Sequence, residues 1–196
     1  MRNIAIIALL LACVSVAGNA GNRKEFDLMK QENMKMKDKA EIYLAGGCFW
    51  GTEHFLKQIR GVEQTEVGYA NSQVPNPTYK EVCTGNTGAV ETVKVVYDPR
   101  TVDLDLLLDL YFQTIDPTSV NRQGGDSGLQ YRTGIYYIDK DDAPVIEAAI
   151  KDLAKDYAKP IAIEVMPLVN FYAAEEYHQD YFCLLYTSPS PRDGAT

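Results

Sequence analysis

The sequence predicts an α+β fold, a two-layer sandwich in which helices cover a mixed or mainly antiparallel sheet. Apolar strands and amphipathic helices are interspersed along the chain, and both hairpin-length and crossover-length connections join the predicted strands. With 196 residues, the chain has room for one sizeable domain and short appendages. One folded domain is therefore expected.

The first half of this domain is predicted to contain three strands and one helix. Residues 41–45 are a short apolar run, residues 52–59 have helix-like apolar spacing, and residues 62–70 again suit a strand. Asn, Ser and two Pro make residues 71–78 a predicted loop. Residues 89–97 alternate apolar and polar side chains, which is typical of a half-buried strand.

The second half is predicted to begin with an amphipathic helix at residues 103–115 and a polar, Gly-rich loop at 121–128. A strand, a helix, a last strand and a short helix follow. Their predicted ranges are 133–138, 143–157, 160–165 and 173–181. The final stretch, 183–196, has neither helical nor strand periodicity and is expected to be a disordered tail.

The first twenty residues have the features of an export signal. A positively charged start precedes an apolar run at residues 4–17 that is too short to span a bilayer comfortably. Cleavage before Gly21 is one expectation, a lipoprotein signal with Cys13 lipidated is another, and a retained helix or membrane anchor is the structural alternative. Residues 21–40 are then a polar tether, and residues 41–182 the catalytic domain. We expect an exported protein, either periplasmic or tethered as a lipoprotein.

Charge and cysteine spacing argue against nucleic-acid and metal binding. Nineteen Lys and Arg against 27 Asp and Glu give a net charge of −8, which repels a phosphate backbone at long range. The four cysteines form no Cys-x-x-Cys pair, and only two histidines accompany them. If Cys13 leaves with a signal, three thiols remain, so at least one should be free or catalytic.

Cys48 is the candidate nucleophile, because Gly46-Gly47-Cys48 lies where a predicted strand ends and a helix begins. Backbone N–H groups and the helix dipole would lower the pKa of the thiol there and favour the thiolate. Phe49 and Trp50, the single Trp of the chain, follow directly and could form an apolar wall for a methyl group. The alternatives are a small buried cysteine at a tight turn and an aromatic pair in the core.

A series of motifs follows the chain in the order Gly-Gly-Cys-Phe-Trp-Gly, Val-Gly-Tyr-Ala, Asn-Pro-Thr-Tyr, Glu-Val-Cys-Thr-Gly, Val-Tyr-Asp-Pro, Gln-Tyr-Arg-Thr-Gly-Ile-Tyr-Tyr and Phe-Tyr-Ala-Ala-Glu-Glu-Tyr-His-Gln-Asp-Tyr. Over residues 42 to about 182, these motifs resemble the A-type peptide-methionine sulfoxide reductases. The resemblance implies the family's ferredoxin-like α+β sandwich and reduction of the S epimer of methionine sulfoxide, free or in proteins.

The resemblance assigns Cys48 as the nucleophile that attacks the sulfoxide sulfur and becomes a sulfenic acid. Phe49 and Trp50 match the pocket for the ε-methyl group. Glu91 matches the acid that protonates the sulfoxide oxygen, a task that requires a carboxyl whose pKa is raised by burial. The strand pattern alone would instead predict a solvent-facing Glu91.

By the same resemblance, Tyr79 and Tyr131 match two phenols that hydrogen-bond the sulfoxide oxygen. Asp126 matches a carboxylate that lines the site and helps to position the substrate. Ordinary packing of the two tyrosines and loop capping by Asp126 are the alternatives.

Turnover in this family requires a second thiol and a thioredoxin-like dithiol as external reductant, with no bound cofactor. Cys183 and Cys83 are both candidate resolving cysteines. Family members usually continue with Lys-Asn-Pro and a Gly-Tyr-Cys resolving segment, whereas this chain reads Phe182-Cys183-Leu184 and then a Ser/Pro tail. One hypothesis is that this tail is a translated sequencing adapter joined to a truncated gene.

Two rival functions deserve comparison with this one. The first is hydrolysis by a Cys48 paired with His54 or His178 as base. The second is a binding module that recognises methionine sulfoxide without reducing it, although such a module would need neither Cys48 nor Glu91. A monomer acting on oxidised proteins and peptides is the expectation.

Overall fold

A computed structural model describes residues 39–182. Six strands form one sheet in the order β7-β6-β1-β3-β2-β8, and β4 and β5 form a separate two-stranded hairpin. All described pairs are antiparallel except β6 with β7, which are parallel. The strands are β1 (Ala40–Gly46), β2 (Val62–Ala70), β3 (Val90–Tyr97), β4 (Arg122–Gln123), β5 (Asp126–Ser127), β6 (Thr133–Tyr137), β7 (Glu164–Pro167) and β8 (Phe171–Ala173).

Four α-helices accompany the sheet in the described part of the chain: α1 (Phe49–Leu56), α2 (Tyr79–Val82), α3 (Leu104–Phe112) and α4 (Ala143–Leu153). Helix α3 begins at a polar residue that suits a helix start: the side chain of Asp103 accepts a hydrogen bond from the N–H of Leu106 at 2.9 Å.

Most of the core lies between one face of the sheet and the helices. Leu44 of β1 pairs in register with Val93 of β3 and with Ile135 of β6, and all three are fully buried. Leu107 of α3 and Ile146 of α4 belong to the same apolar cluster. A smaller cluster contains Tyr43, Ala45, Ala70, Val90 and Tyr136. Because helices cover a mixed sheet, the predicted α+β sandwich is confirmed.

Two predicted elements near the C-terminus of the domain are wrong. The strand predicted at residues 160–165 is instead Glu164–Pro167, because the N–H of Ala162 donates to the carbonyl of Pro117 at 2.7 Å. Residues 173–181 do not form an α-helix. Phe171–Ala173 is a strand that pairs with β2, and only Glu176–His178 makes a short 3₁₀ turn.

The side chain of Gln179 explains why residues 173–181 cannot be helical. Its Oε1 accepts a hydrogen bond from the N–H of Val67, and its Nε2 donates to the carbonyl of Val67, both at 2.9 Å. The carboxamide thus pairs with the backbone of β2 as a strand would, at the point where β8 ends. Asp180 then has a positive φ of 55°. Tertiary contacts with the sheet edge therefore outweigh the helical spacing of this segment.

Smaller differences concern the glycine-rich turn and the loop before β6. Helix α1 begins at Phe49, three residues before the predicted start, and so directly after Cys48. The predicted loop at residues 121–128 contains the β4–β5 hairpin. No helix among residues 39–182 is long and apolar enough to cross a membrane. The expected export signal, residues 21–38 of the expected tether, the tail and Cys183 lie outside the described residues, whereas Ala40, the last residue of that tether, already belongs to β1.

Candidate active site

A tight turn presents Cys48 at the start of α1. Gly47 has a φ of 78°, and a Cβ atom there would lie 2.5 Å from Cβ of Gln123, so both backbone conformation and space require glycine. Cys48 follows as the N-cap residue and is half-buried. The backbone N–H groups of Trp50 and Gly51 face the thiol and favour its ionised form.

The pKa of Cys48 is nevertheless raised in the resting site, so the predicted lowering is wrong. Burial of the thiol is the largest cause, and the negative charges of Glu91 and Asp126 raise the pKa further. The N–H groups at the helix start only partly offset these effects. Neutralising a neighbouring carboxylate would remove one of the causes that raise the pKa of this thiol.

Glu91 is that neighbour. It lies on β3 and is 1% exposed, so the alternative of a solvent-facing residue is wrong. Its Oε2 accepts a hydrogen bond from the N–H of Phe49 at 3.1 Å, and its Oε1 is buried without a partner among the described residues. Burial raises the pKa of Glu91 to about 7; the Phe49 N–H lowers it, and the charge of Asp126 raises it. At neutral pH this carboxyl can supply a proton.

Two phenols lie beside this carboxyl. Tyr79 begins α2, where a capping box between Thr78 and Glu81 fixes the helix start. Tyr131 ends the 3₁₀ helix Leu129–Tyr131. The Tyr79 hydroxyl hydrogen-bonds towards Tyr131, and burial together with the charge of Glu91 raises the pKa of both phenols. Both therefore stay protonated and can donate hydrogen bonds at neutral pH.

Phe49 and Trp50 form part of an aromatic wall. The ring of Phe49 is buried, and its centroid lies 6.4 Å from that of Trp50. Tyr181 stacks on Trp50 with centroids 3.8 Å apart and an interplanar angle of 11°. This wall provides the flat apolar surface that a methyl group would contact.

His178 completes the wall. Its ring lies 5.2 Å from Phe49, 5.5 Å from Trp50 and 4.5 Å from Tyr79, measured between centroids. It is 1% exposed, and neither ring nitrogen has a hydrogen-bond partner within the described chain. Burial lowers the pKa of His178 against the opposing effect of Glu175, so the imidazole is neutral at pH 7.

Asp126 lies in the exposed β4–β5 hairpin. Its charge raises the pKa values of Cys48, Glu91 and Tyr131, which places it close to all three. An exposed carboxylate with these neighbours marks the mouth of the site. The structure thus brings together all seven residues that the sequence assigned to catalysis and substrate binding, which are Cys48, Phe49, Trp50, Tyr79, Glu91, Asp126 and Tyr131.

The sequence did not assign Glu175, Tyr181 or a pocket-lining His178, although these residues contact those seven. Glu175 accepts a hydrogen bond from the N–H of Tyr79 at 2.9 Å. The available signal was the motif from Phe171 to Tyr181, in which aromatic, acidic and imidazole side chains are dense. Because that segment was predicted to be a helix, its contacts with the pocket were not foreseen.

The candidate resolving cysteines have different positions. Cys83 follows the last residue of α2, is exposed and free, and its side chain interacts with the hydroxyl of Tyr79. Cys48 is also free. Cys183 lies outside the described residues. Cys83 is therefore adjacent to the phenol of Tyr79.

The rival hydrolase arrangement has no geometric support. The ring of His54 lies on α1 with its centroid 5.5 Å from that of Phe182, and the nitrogens of His178 have no hydrogen-bond partner in residues 39–182. In the same range, no group of three or more His, Cys, Asp or Glu side chains could hold a metal ion. The fold and site instead define a thiol enzyme with a buried acid.

Comparison with known proteins identifies the family. A sequence model described as peptide methionine sulfoxide reductase matches residues 40–188. A peptide methionine sulfoxide reductase MsrA from Lachnoclostridium phytofermentans is 59% identical over 140 residues, which cover 71% of this chain and 84% of that protein. The Mycoplasma pneumoniae MsrA is 51% identical over 141 residues, covering 72% and 90%.

Solved structures agree with the sequence relatives. Reduced Mxr1 from Saccharomyces cerevisiae matches with a TM-score of 0.73 and 35% identity over 79% of this chain and 90% of that chain. MsrA of Corynebacterium diphtheriae gives a TM-score of 0.70 and 35% identity over 81% and 82%. The chain belongs to the peptide methionine sulfoxide reductase family and is an enzyme of the MsrA type.

Proposed function

We propose that this reductase acts on the S epimer of methionine sulfoxide, free and in proteins, by attack of Cys48 on the sulfoxide sulfur. One observation carries the proposal: Cys48 and the buried Glu91, whose pKa is about 7, meet at the end of an aromatic wall. A nucleophile, an acid and a methyl-binding surface are the three parts that such a reaction needs.

The reaction begins from a pair that holds one proton. Above pH 7, but below the raised pKa of Cys48, that proton lies either on the thiol or on Glu91. The reactive arrangement is the Cys48 thiolate beside the neutral Glu91 carboxyl. In this arrangement Glu91 no longer repels the thiolate and is ready to protonate the substrate oxygen.

Attack by the Cys48 sulfur transfers two electrons to the sulfoxide. This attack forms a bond between the Cys48 sulfur and the substrate sulfur as Glu91 protonates the oxygen. The hydroxyl then moves from the substrate sulfur to the Cys48 sulfur, and the bond between the two sulfurs breaks with its electron pair going to the substrate, which leaves as methionine while Cys48 becomes a sulfenic acid. Tyr79 and Tyr131 donate hydrogen bonds to the oxygen as its negative charge grows.

Pocket geometry supplies the stereochemical preference. Phe49 and Trp50 receive the methyl group, while Tyr79, Tyr131 and Glu91 receive the oxygen. The third substituent, which leads to the peptide backbone, must leave through the mouth near Asp126. Three fixed directions around a pyramidal sulfur accept one epimer only, and resemblance to the A-type enzymes indicates the S form.

A second thiol then resolves the sulfenic acid, with release of water and formation of a disulfide. Cys83 and Cys183 remain the two candidates. A thioredoxin-like dithiol reduces this disulfide and is itself oxidised. Yeast Mxr1 supports this partner, since it has been solved in complex with Trx2.

An epimer-resolved assay tests the proposal. Methionine S-sulfoxide and R-sulfoxide, free and in a peptide, are incubated with the full chain and dithiothreitol. We expect methionine from the S epimer and none from Cys48→Ser. Activity that survives Cys48→Ser would defeat the mechanism, and equal rates on both epimers would defeat the stereochemical assignment.

Mapping the disulfide separates the candidate resolving thiols. One turnover with a stoichiometric amount of sulfoxide is followed by blocking of free thiols and peptide mass analysis. A Cys48–Cys83 or a Cys48–Cys183 peptide identifies the resolving residue. Recovery of Cys48 as an unpaired sulfenic acid would instead mean that an external thiol resolves it directly.

We also propose that the enzyme acts outside the cytoplasm, on the basis of residues 1–20. Fractionation of a bacterial host and intact mass of the exported protein test this. A mass that begins at Gly21 indicates cleavage, and a diacylated Cys13 indicates a lipoprotein. An unprocessed chain in the cytoplasm would refute export.

A further inference from the structure

One carboxylate connects the two chemically different sides of the substrate pocket. Glu175 follows β8, and its Oε1 accepts a hydrogen bond from the backbone N–H of Tyr79 at 2.9 Å. Its Oε2 accepts a hydrogen bond from the hydroxyl of Tyr69 at 2.7 Å. A single side chain therefore contacts a residue from β2 and a residue from α2.

The contact with Tyr79 fixes the oxygen-binding side. Tyr79 is the first residue of α2, so its N–H has no partner inside this four-residue helix. Glu175 supplies the missing acceptor. Since Tyr79 carries the phenol that lies beside Tyr131 and Glu91, the position of Glu175 sets where that phenol can donate.

The contact with Tyr69 supports the methyl-binding side. Tyr69 is fully buried and pairs in register with Glu91 across β2 and β3. Its ring centroid lies 6.0 Å from that of Phe49. The Tyr69 hydroxyl would lose its acceptor if Glu175 were removed, and Phe49 would lose a fixed neighbour.

Glu175 is suited to this task because it stays ionised. Burial opposes ionisation, but the hydrogen bonds from Tyr79 and Tyr69 and the proximity of His178 outweigh it and lower the pKa of Glu175. Oε2 of Glu175 lies 3.9 Å from Nε2 of His178, which is part of the aromatic wall. The carboxylate thus contacts three residues that border the substrate.

We propose that Glu175 is a positioning residue, which holds Tyr79 and Phe49 at the separation that a sulfoxide requires between its oxygen and its methyl group. The inference rests on the proposed function, because it takes Tyr79 as the oxygen donor and Phe49 as a methyl contact. Glu175 itself touches neither the reacting sulfur nor the oxygen.

A double-mutant cycle with Tyr79 tests the proposal. The kcat/KM for a peptide S-sulfoxide is measured with dithiothreitol for Glu175→Ala, Tyr79→Phe and the combination. Because a misplacement of about 1 Å can cost about 100-fold, we expect Glu175→Ala to lower kcat/KM about 10- to 100-fold. In the Tyr79→Phe background the same change should cost a clearly smaller factor, because only the support of Phe49 through Tyr69 then remains to be lost.

Conservative and neighbouring variants provide the controls. In Glu175→Gln the amide oxygen can accept from Tyr79 N–H, and the amide group can donate to the Tyr69 oxygen, so most activity should return. Glu176→Ala removes the adjacent, exposed carboxylate and should leave kcat/KM unchanged. The rate of Cys48 alkylation by iodoacetamide should be the same in every variant, since Glu175 acts through Tyr79 and Phe49.

The outcomes are distinct. If the losses in kcat/KM of Glu175→Ala and Tyr79→Phe simply multiply in the double mutant, the two residues act independently and the positioning role is overturned. A Glu175→Ala enzyme with the kcat/KM of the natural sequence would overturn it as well. If Glu175→Ala does not fold, Tyr69→Phe, which removes the hydrogen bond to Oε2 of Glu175, takes its place in the cycle with Tyr79→Phe. Losses that multiply in that pair would overturn the positioning role equally. An inactive natural sequence would instead defeat the proposed function itself, since the cycle would have no activity to measure.

Discussion

Replacing Glu91 with Gln should make Cys48 more reactive towards an alkylating agent but make sulfoxide reduction slower. Gln is nearly isosteric, and its amide oxygen can still accept the hydrogen bond from Phe49 N–H, so the fold should persist. The substitution removes the negative charge that raises the pKa of Cys48. The Cys48 pKa should therefore fall, and alkylation of Cys48 at neutral pH should become faster.

Sulfoxide reduction should become slower in the same variant, because Gln has no proton to give. Loss of a general acid costs about 10²- to 10⁴-fold in rate, which corresponds to about 3 to 5 kcal/mol of activation free energy. With the natural residue, the pH profile of kcat/KM should rise towards pH 7, where the Cys48–Glu91 pair comes to hold one proton, and then level off. The rise of kcat/KM towards pH 7 should be absent from the pH profile of the Glu91→Gln variant.

Single-turnover formation of methionine and iodoacetamide alkylation, both followed from pH 5 to pH 10, measure the two effects. Glu147→Gln, on the exposed face of α4, is a matched control that should change neither. Reduction within about tenfold of the natural rate would contradict the role of Glu91 as acid. A Cys48 pKa that is unchanged or higher in Glu91→Gln would contradict the electrostatic account of the thiol.

Three further predictions follow from the same contacts. Because burial raises the pKa of Glu91 from 4.5 to about 7 in the folded protein, the free energy of unfolding should fall as pH rises between these two values and then level off. Glu91→Gln should remove up to about 3 kcal/mol of this pH dependence in urea titrations, and equal slopes for both proteins would contradict it. Gly47→Ala places a Cβ atom at a φ of 78° and close to Gln123, so it should lower the free energy of unfolding in urea by about 1 to 3 kcal/mol and slow sulfoxide reduction. An unchanged free energy of unfolding would mean that the turn is not constrained. Tyr131→Phe should lower single-turnover kcat about 10²-fold or more, with little change in the rate of Cys48 alkylation. A change confined to KM would argue against a hydrogen bond from Tyr131 to the negative charge that develops on the sulfoxide oxygen.

Local sequence patterns predicted the elements that surround the nucleophile. Strand β2 has the predicted ends, and strand β3 begins one residue later than expected. The Gly-Gly-Cys turn between β1 and α1 was also foreseen, because a positive φ and a close backbone approach are conditions that glycine meets. Such features depend on neighbouring residues alone, and a single sequence contains that information.

Long-range effects were beyond reach of the same reasoning. The pKa of Cys48 was expected to fall because only the helix start was visible, whereas the carboxylates that raise it belong to β3 and to the β4–β5 hairpin. The segment at residues 173–181 has helical spacing, but Gln179 binds the edge of β2 and prevents a helix. Both errors arise where a residue's environment is set by parts of the chain more than 40 positions away.

The carboxamide of Gln179 is hydrogen-bonded to the backbone of Val67 at the edge of β2. Only one residue separates Gln179 from Tyr181, whose ring stacks on Trp50. The N–H of Asp180 also donates to Oε2 of Glu53 at 3.1 Å, so a second hydrogen bond holds the chain just before Tyr181. Hydrogen–deuterium exchange at the Val67 amide thus measures how often the Gln179 link opens, and a bound sulfoxide should slow that exchange.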